Sequence, residues 1–216
     1  MKQLKLLLLA ATACASFSAS AATEYLTNGG FETSGVAGYA TFSSDYIKNG
    51  NLYDPSIVTI GSNPASFHGS WASFGALEGA NMLIVNGGLD SSQGVFWSQT
   101  LSLSAGSYDF SAAAASTYPT NPSHVVAIAT INGNDYSLGG VQLGSSTQWD
   151  TFTGTLNLQS AASVTIKLKN LSTDYTGNDF AVDQISLTSA VPEPETYAMM
   201  LAGLGLVGFA ARRRKA

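Results

Sequence analysis

From about residue 81 to residue 188 the chain runs in short segments of alternating apolar and polar residues, separated by glycine, asparagine and serine. A period of two sends successive side chains to opposite faces, so each segment predicts a half-buried β-strand. Val95–Leu103 sets Val95, Trp97, Gln99, Leu101 and Leu103 against Phe96, Ser98, Thr100 and Ser102. That parity makes Trp97 a core residue and leaves Phe96 ambiguous. After a turn at Ala105-Gly106-Ser107, Tyr108, Phe110, Ala112 and Ala114 share one face. Residues 125–131 are apolar at both parities, which predicts a buried central strand, and Asn132-Gly133-Asn134-Asp135 supplies residues that tolerate the positive φ of a hairpin turn. Two more half-exposed strands follow around Phe152 to Leu158 and Val164 to Leu168, and a last one over residues 180–188. No 11-residue stretch of this region keeps helical periodicity, so the predicted class is an all-β sandwich.

Residues 33–74 break the pattern. They are rich in glycine, serine and asparagine and carry Tyr39, Phe42, Tyr46, Tyr53, Phe67, Trp71 and Phe74, with Ile57-Val58-Thr59-Ile60 as the one good strand candidate. A loop of this length inside a compact domain is either functional or conceals strands.

The two ends have a different grammar. Lys2 and Lys5 precede the apolar run Leu6 to Ala11, which passes into small residues ending Ala19-Ser20-Ala21-Ala22. Charge, apolar run and small-residue cleavage site in that order describe a secretory signal peptide over residues 1–22, the alternative being an uncleaved N-terminal anchor. The one cysteine, Cys14, falls inside it, so the mature protein is expected to carry no disulfide or thiol. A lipidated Cys14 is disfavoured because Ala11 stands where a large aliphatic residue is usual. At the C-terminus, Pro192-Glu193-Pro194 precedes the apolar residues 196–211 and then Arg212, Arg213, Arg214 and Lys215. Sixteen helical residues at about 1.5 Å each reach roughly 24 Å, short of the roughly 30 Å hydrocarbon core, so the span is marginal as a permanent anchor. The basic cluster is expected to stay cytoplasmic.

This tail over residues 191–216 resembles the PEP-CTERM sorting signal of Gram-negative bacteria, carried by Pro192, Glu193, Pro194, the glycine-containing apolar helix, and Arg212, Arg213 and Arg214. The resemblance implies recognition by an exosortase-type membrane protease. The protein would be held transiently at the inner membrane with its C-terminus cytoplasmic, then delivered to the envelope or extracellular matrix. An ordinary C-terminal anchor with a proline hinge is the competing reading.

Charge changes its meaning once the ends are set apart. The formal net charge of −5 includes six basic residues in the two ends; the body over residues 23–190 holds Lys48, Lys167 and Lys169, twelve carboxylates and no arginine. Phosphate-backbone binding has no support, and nucleic acid is excluded as a partner.

Several stretches of the body resemble galactose-binding-like jelly rolls, the fold shared by many carbohydrate-binding modules. Asn28-Gly29-Gly30-Phe31-Glu32 is similar to the opening strand of that fold. Leu83 to Gly87, Val95 to Thr100, Ala105 to Ser111, Ile131-Asn132-Gly133, Trp149 with Phe152, and Gly177 to Leu187 continue it in order. The fold expected is therefore a β-sandwich of jelly-roll type, and the resemblance implies an exported polysaccharide- or surface-binding module without catalysis.

On the last strand Asp183 shares parity with Ala181, Ile185 and Leu187, which predicts an inward carboxylate. Burial of an unpaired carboxylate is costly, so it calls for backbone hydrogen bonds or a cation. Jelly rolls of this resemblance often hold a structural Ca²⁺ between the opening and closing motifs. Here that implies Glu32 and Asp183, with the Gly30 carbonyl, Glu78 and Asp179 as further oxygen ligands. Sugar platforms are exposed aromatic rings, and Tyr39, Tyr46, Tyr53, Trp71, Tyr118 and Tyr175 lie in loop-like segments. Two alternatives stay open. One is a structural or adhesive matrix component; the other is a carbohydrate-active enzyme, for which a pair such as Glu78 with Asp90 is available but no Gly-x-Ser-x-Gly elbow. His68 and His124, each in a loop-like context, are expected at the surface.

Overall fold

The computed structural model describes residues 22–89, 94–145, 147–190, 201 and 203–205. Residues 22–190 form one compact unit. The signal segment, Asp90, Pro192, Glu193, Pro194, Arg212, Arg213 and Arg214 lie outside the described residues. So does most of the expected tail helix, of which Leu201 and residues 203–205 are helical. Among the described residues no helix is long and apolar enough to cross a membrane.

Ten strands build the body: β1 (Ile47–Lys48), β2 (Ile57–Gly61), β3 (Met82–Asn86), β4 (Val95–Leu103), β5 (Gly106–Ser116), β6 (His124–Ile131), β7 (Asn134–Gln142), β8 (Asp150–Leu158), β9 (Ala162–Asn170) and β10 (Phe180–Ser189). They pair into a six-stranded sheet of order β1-β2-β3-β10-β5-β8 and a four-stranded sheet of order β4-β9-β6-β7. All pairs are antiparallel except β1 with β2. The protein is a β-sandwich, as the alternation predicts. The β6–β7 hairpin turns where expected, with Asn132 at φ 50° and Gly133 at φ 80°. On its far side β7 meets β8 backbone to backbone: a Cβ on Gly139 would lie 2.6 Å from the Thr153 carbonyl oxygen. Glycine there lets the edge strands of the two sheets approach closely.

The sandwich core takes Val58 and Ile60, Leu83 and Val85, Phe110, Ala112 and Ala114, and Ile166 and Leu168, each pair spaced by two along its strand. Three bulges reset that spacing, one of them on β7, where Leu138 and Val141 both reach the core. Another falls between Val95 and Trp97, so that Phe96 and Trp97 are both fully buried in the core. The third falls between Asp183 and Ser186, with Gln184 at φ 52°. It corrects the expected parity of β10. Val182, Ile185 and Leu187 face the core, whereas Asp183, paired with Ala113, lies on the outer face with Ala181.

Residues 49–81, broken by β2 and a 3₁₀ turn at Pro64–Ser66, wrap that outer face. Leu52, Trp71, Phe67, Phe74 and Ala76 cover Ile57, Met82, Ile84 and Ala181 in a second apolar cluster, joined by Tyr118 and Trp149. The sequence left this stretch undecided because its rings have no period. The opening motif is corrected as well. Asn28 to Glu32 form a tight turn rather than a strand, with Asn28 at φ 55° and Phe31 at φ 56°, and the N-terminal segment forms no full strand but runs along β10 with Glu24 bridged to Thr188 and backbone hydrogen bonds from Tyr25 to Leu187 and from Ile185 to Gly29.

Candidate functional site

At the end of the sheet where β3 finishes and β10 begins, four loops converge on a cleft of about 210 Å³. The β1–β2 loop supplies Tyr53, the β2–β3 segment His68 and Trp71, the β5–β6 loop Tyr118, and the β9–β10 loop Tyr175, with Asp179 also lining it. Four of the six aromatic candidates, Tyr53, Trp71, Tyr118 and Tyr175, thus meet in one place.

The rings are graded in depth. Trp71 is buried as part of the second cluster, while Tyr53 is 65% and Tyr175 80% exposed. His68 lies between, its ring stacked on Trp71 at 4.9 Å and tilted against Tyr53 at 4.7 Å. A three-ring stack therefore rises from the core to solvent. Its middle member was expected merely at the surface; only the fold brings His68 over Trp71.

Asp179 closes the floor. Its side chain is buried, and the Trp71 indole Nε1 donates to Oδ2 at 3.1 Å and the Gly87 amide to Oδ1 at 3.2 Å. Burial pushes its carboxyl up to about 7, with the two N–H donors opposing. Among the described residues no lysine or arginine lines the cleft. Lys48 is spent elsewhere: its ammonium donates to the carbonyls of Tyr39 and Phe42 and sits 4.4 Å from the Phe42 ring centroid.

A buried amide network fixes the rim. Asn178, at φ 68° and fully buried, donates through Nδ2 to the carbonyls of Gly88 and Ser172 at 3.0 Å, and its Oδ1 accepts from Ser123 and Asn170. With both ends of the amide satisfied, the β9–β10 loop is held in one arrangement.

Tyr39 and Tyr46 do not join the cleft, which corrects their assignment as platforms. Tyr46 is 4% exposed in the sandwich core, and its hydroxyl accepts from the Gly88 amide at 2.9 Å. Tyr39 packs half-buried against the same core and shares a 2.8 Å hydrogen bond with Thr59. A period-free segment gives no parity from which to tell a buried ring from an exposed one.

The five oxygen candidates separate. Asp179 belongs to the cleft, whereas Gly30, Glu32, Glu78 and Asp183 cluster where the opening turn meets the β10 bulge. Asp183 Oδ2 accepts from the amides of Leu77 (2.9 Å) and Glu78 (3.2 Å), and Oδ1 from that of Gln184 (2.7 Å). Glu32 accepts from the amides of Ala80 and Asn81 at 3.0 Å, and Glu78 from the Gln184 side chain. Burial raises the Asp183 carboxyl; its three amide donors oppose this, and the nearby Glu32 charge adds to the rise. Among the described residues no group of three or more acidic, histidine or cysteine side chains is set to hold a metal.

A broader hollow of about 360 Å³ lies on the outer face of β5, β8 and β10, lined by Asp109, Ser111, Thr153, Thr155 and Thr188. It offers no exposed ring, since Phe110 beneath it is buried in the core.

With body and tail separated, the proline pair, apolar stretch and arginine cluster decide the nature of the C-terminus. Residues 190–215 match the PEP-CTERM protein-sorting motif. The body's fold is that of solved structures with little sequence in common. One is the CBM22-1–CBM22-2 tandem domain of Paenibacillus barcinonensis Xyn10C, at 15% identity and TM-score 0.51, covering 83% of this chain and 49% of that one. Another is the apo form of a cyclase from Fischerella sp., at 14% identity and TM-score 0.51, covering 80% of this chain and 98% of that one. A third, TmCBM61 in complex with β-1,4-galactotriose, has 19% identity and TM-score 0.47, covering 78% of this chain and 99% of that one. No curated protein matches the chain in sequence.

Proposed function

We propose that the body is a non-catalytic glycan-binding module that works at the envelope or matrix, delivered there by exosortase recognition of the PEP-CTERM tail. The observation that carries the reading is the convergence of Tyr53, His68, Trp71, Tyr118 and Tyr175 on one buried carboxylate. Exposed rings cover the apolar faces of a sugar, and Asp179 accepts from its hydroxyls. Fold likeness by itself does not separate binding from catalysis, since one of the similar structures is named a cyclase. Among the described residues that line the cleft Asp179 is the one carboxylate, whereas glycoside hydrolysis uses two, which favours the binding reading. The mature protein is expected to be retarded in affinity electrophoresis through at least one polysaccharide, with retardation falling about ten-fold or more in Tyr53→Ala/Tyr175→Ala. Both rings are exposed, so the fold survives. Unchanged mobility on every polysaccharide would leave a structural or adhesive matrix component.

We also propose a structural Ca²⁺ held by Glu32 and Asp183 with the Gly30 carbonyl and Glu78. The support is chemical: among the described residues Asp183 is buried with backbone amides and no cation as its partners, and Glu32 stands close enough to raise its carboxyl. A divalent ion would relieve that repulsion and tie the opening turn to β10. Excess chelator is expected to lower the melting temperature by several degrees and added Ca²⁺ to restore it. An unchanged melting temperature in metal-free protein would leave the backbone amides as the sole partners.

A further inference from the structure

The chemistry of the cleft is one-sided. Among the described residues its lining holds three tyrosines, a tryptophan, a histidine and one acid, with no lysine or arginine to neutralise that acid. The three lysines of the body are elsewhere. Lys48 is bound to the carbonyls of Tyr39 and Phe42, while Lys167, 4.0 Å from Asp135, and Lys169 stand on β9 of the other sheet. The donors that reach Asp179 are a neutral indole and a neutral amide, one to each oxygen, so each oxygen keeps a lone pair for a further donor. Trp71 turns its N–H edge to the carboxylate, and the exposed rings of Tyr53 and Tyr175 line the same cleft, so a cation bound at the acid meets both a buried negative charge and electron-rich rings.

We infer that the cleft takes a glycan bearing free ammonium groups, of the glucosamine type, with one ammonium on Asp179 and the sugar ring against the exposed tyrosines. The inference rests on the cleft being the glycan site and adds the class of sugar. A neutral sugar can hydrogen-bond the carboxylate but leaves its buried charge uncompensated; an ammonium supplies both the donors and the charge. Burial raises the Asp179 carboxyl to about 7, so the free site holds its acid at a cost that a bound cation removes. An N-acetylated sugar carries no charge and adds bulk at the same nitrogen, so it loses on both counts.

Titration of the mature protein with glucosamine tetramer, N-acetylglucosamine tetramer and cellotetraose, read by calorimetry and by the fluorescence of Trp71, tests this. Charged hydrogen bonds and cation–π contacts lead us to expect the glucosamine tetramer to bind roughly ten-fold or more tightly than the other two. Asp179→Asn is expected to abolish that preference, since asparagine keeps an acceptor for Trp71 but no charge. Asp109→Asn, on the outer face of the sheet, is expected to leave it intact. Should Asp179→Asn not fold, Tyr53→Ala, which removes an exposed ring, is expected to lower affinity for the glucosamine tetramer more than for cellotetraose. Equal or tighter binding of the neutral tetramers overturns the inference while leaving the cleft as a glycan site. Equal weakening by Asp109→Asn and Asp179→Asn also overturns it, by assigning the preference to the bulk negative charge of the body. Binding of no tetramer overturns the glycan reading and the inference together.

Discussion

Asp179 and Asp183 stand four residues apart on one chain, and a single bulge and a loop give them different lives. Asp179 is held by an indole and an amide under the aromatic cleft, Asp183 by three amides beneath the strap. Both are acids whose carboxyls burial raises. An acid that binds its proton more tightly folded than unfolded stabilises the native state most below its unfolded value, and that contribution is lost as pH rises through its folded value. For Asp179 the window runs from 3.8 to about 7, a loss on the order of 4 kcal/mol in the absence of a bound cation. Chemical denaturation of the metal- and glycan-free protein is expected to show stability falling from pH 4 to pH 7, with a flatter profile in Asp179→Asn. A wild-type profile that rises over this range would show that the carboxylate is paired in solution. The residue types at 179 and 183 are plain in the sequence, but their separate fates are not. Parity counted along residues 180–188 assigns Asp183 to the core because an inserted residue at Gln184 leaves no trace in the alternation.

At the level of elements, the strands follow from their own pattern and the connecting segments do not. β8 and β9 keep strict alternation because each has one face on the core and one toward solvent, while β5 alternates only over its first half and is buried on both faces from Ala112 onward, where residues 49–81 cover the sheet. The strap from residue 49 to residue 81 is held by rings that touch partners on β2, β3 and β10, contacts that depend on where the sheet lies. The β9–β10 loop shows how tightly such a segment is fixed. Gly177 sits at φ 91°, and a Cβ there would collide with the Thr120 carbonyl of the neighbouring loop. Gly177→Ala is therefore expected to cost about 2–4 kcal/mol, from backbone strain plus displacement of the loop that carries Tyr175. It should also weaken glycan retention beyond the effect of Tyr175→Ala alone. Thermal denaturation and affinity electrophoresis read the two effects, and a wild-type melting temperature would show that the loop yields freely.

At the scale of the whole body, its two ends lie side by side. Tyr25 and Ser189 donate backbone hydrogen bonds to Leu187 and Thr23, and the Glu24 carboxylate accepts from the amides of Leu26 and Leu187 and from the Ser186 hydroxyl. β10 runs from the cleft at Asp179 to this junction, ten residues or about 30 Å away. The last residues of the body, up to Ala190, thus lie at the end of β10 remote from the cleft. Replacement of Pro192, Glu193 and Pro194 by alanine is expected to leave the tail attached and the protein in the membrane fraction. Mass spectrometry of the recovered protein checks this, and normal removal of Arg212 to Lys215 in the variant would count against sorting through the motif.

The sequence by itself determined whatever has a short-range signature. Period-two alternation gave the sandwich, asparagine and glycine gave the β6–β7 turn, the segregation of basic residues exposed an arginine-free acidic body, and one contiguous stretch carried the sorting motif. Tertiary structure decided the site. Tyr53, His68, Tyr118, Tyr175 and Asp179 come from segments spread over more than half the chain, and Tyr46 and Asp183 face where strand pairing and a bulge turn them. Such placements depend on contacts between distant residues, which no local period records.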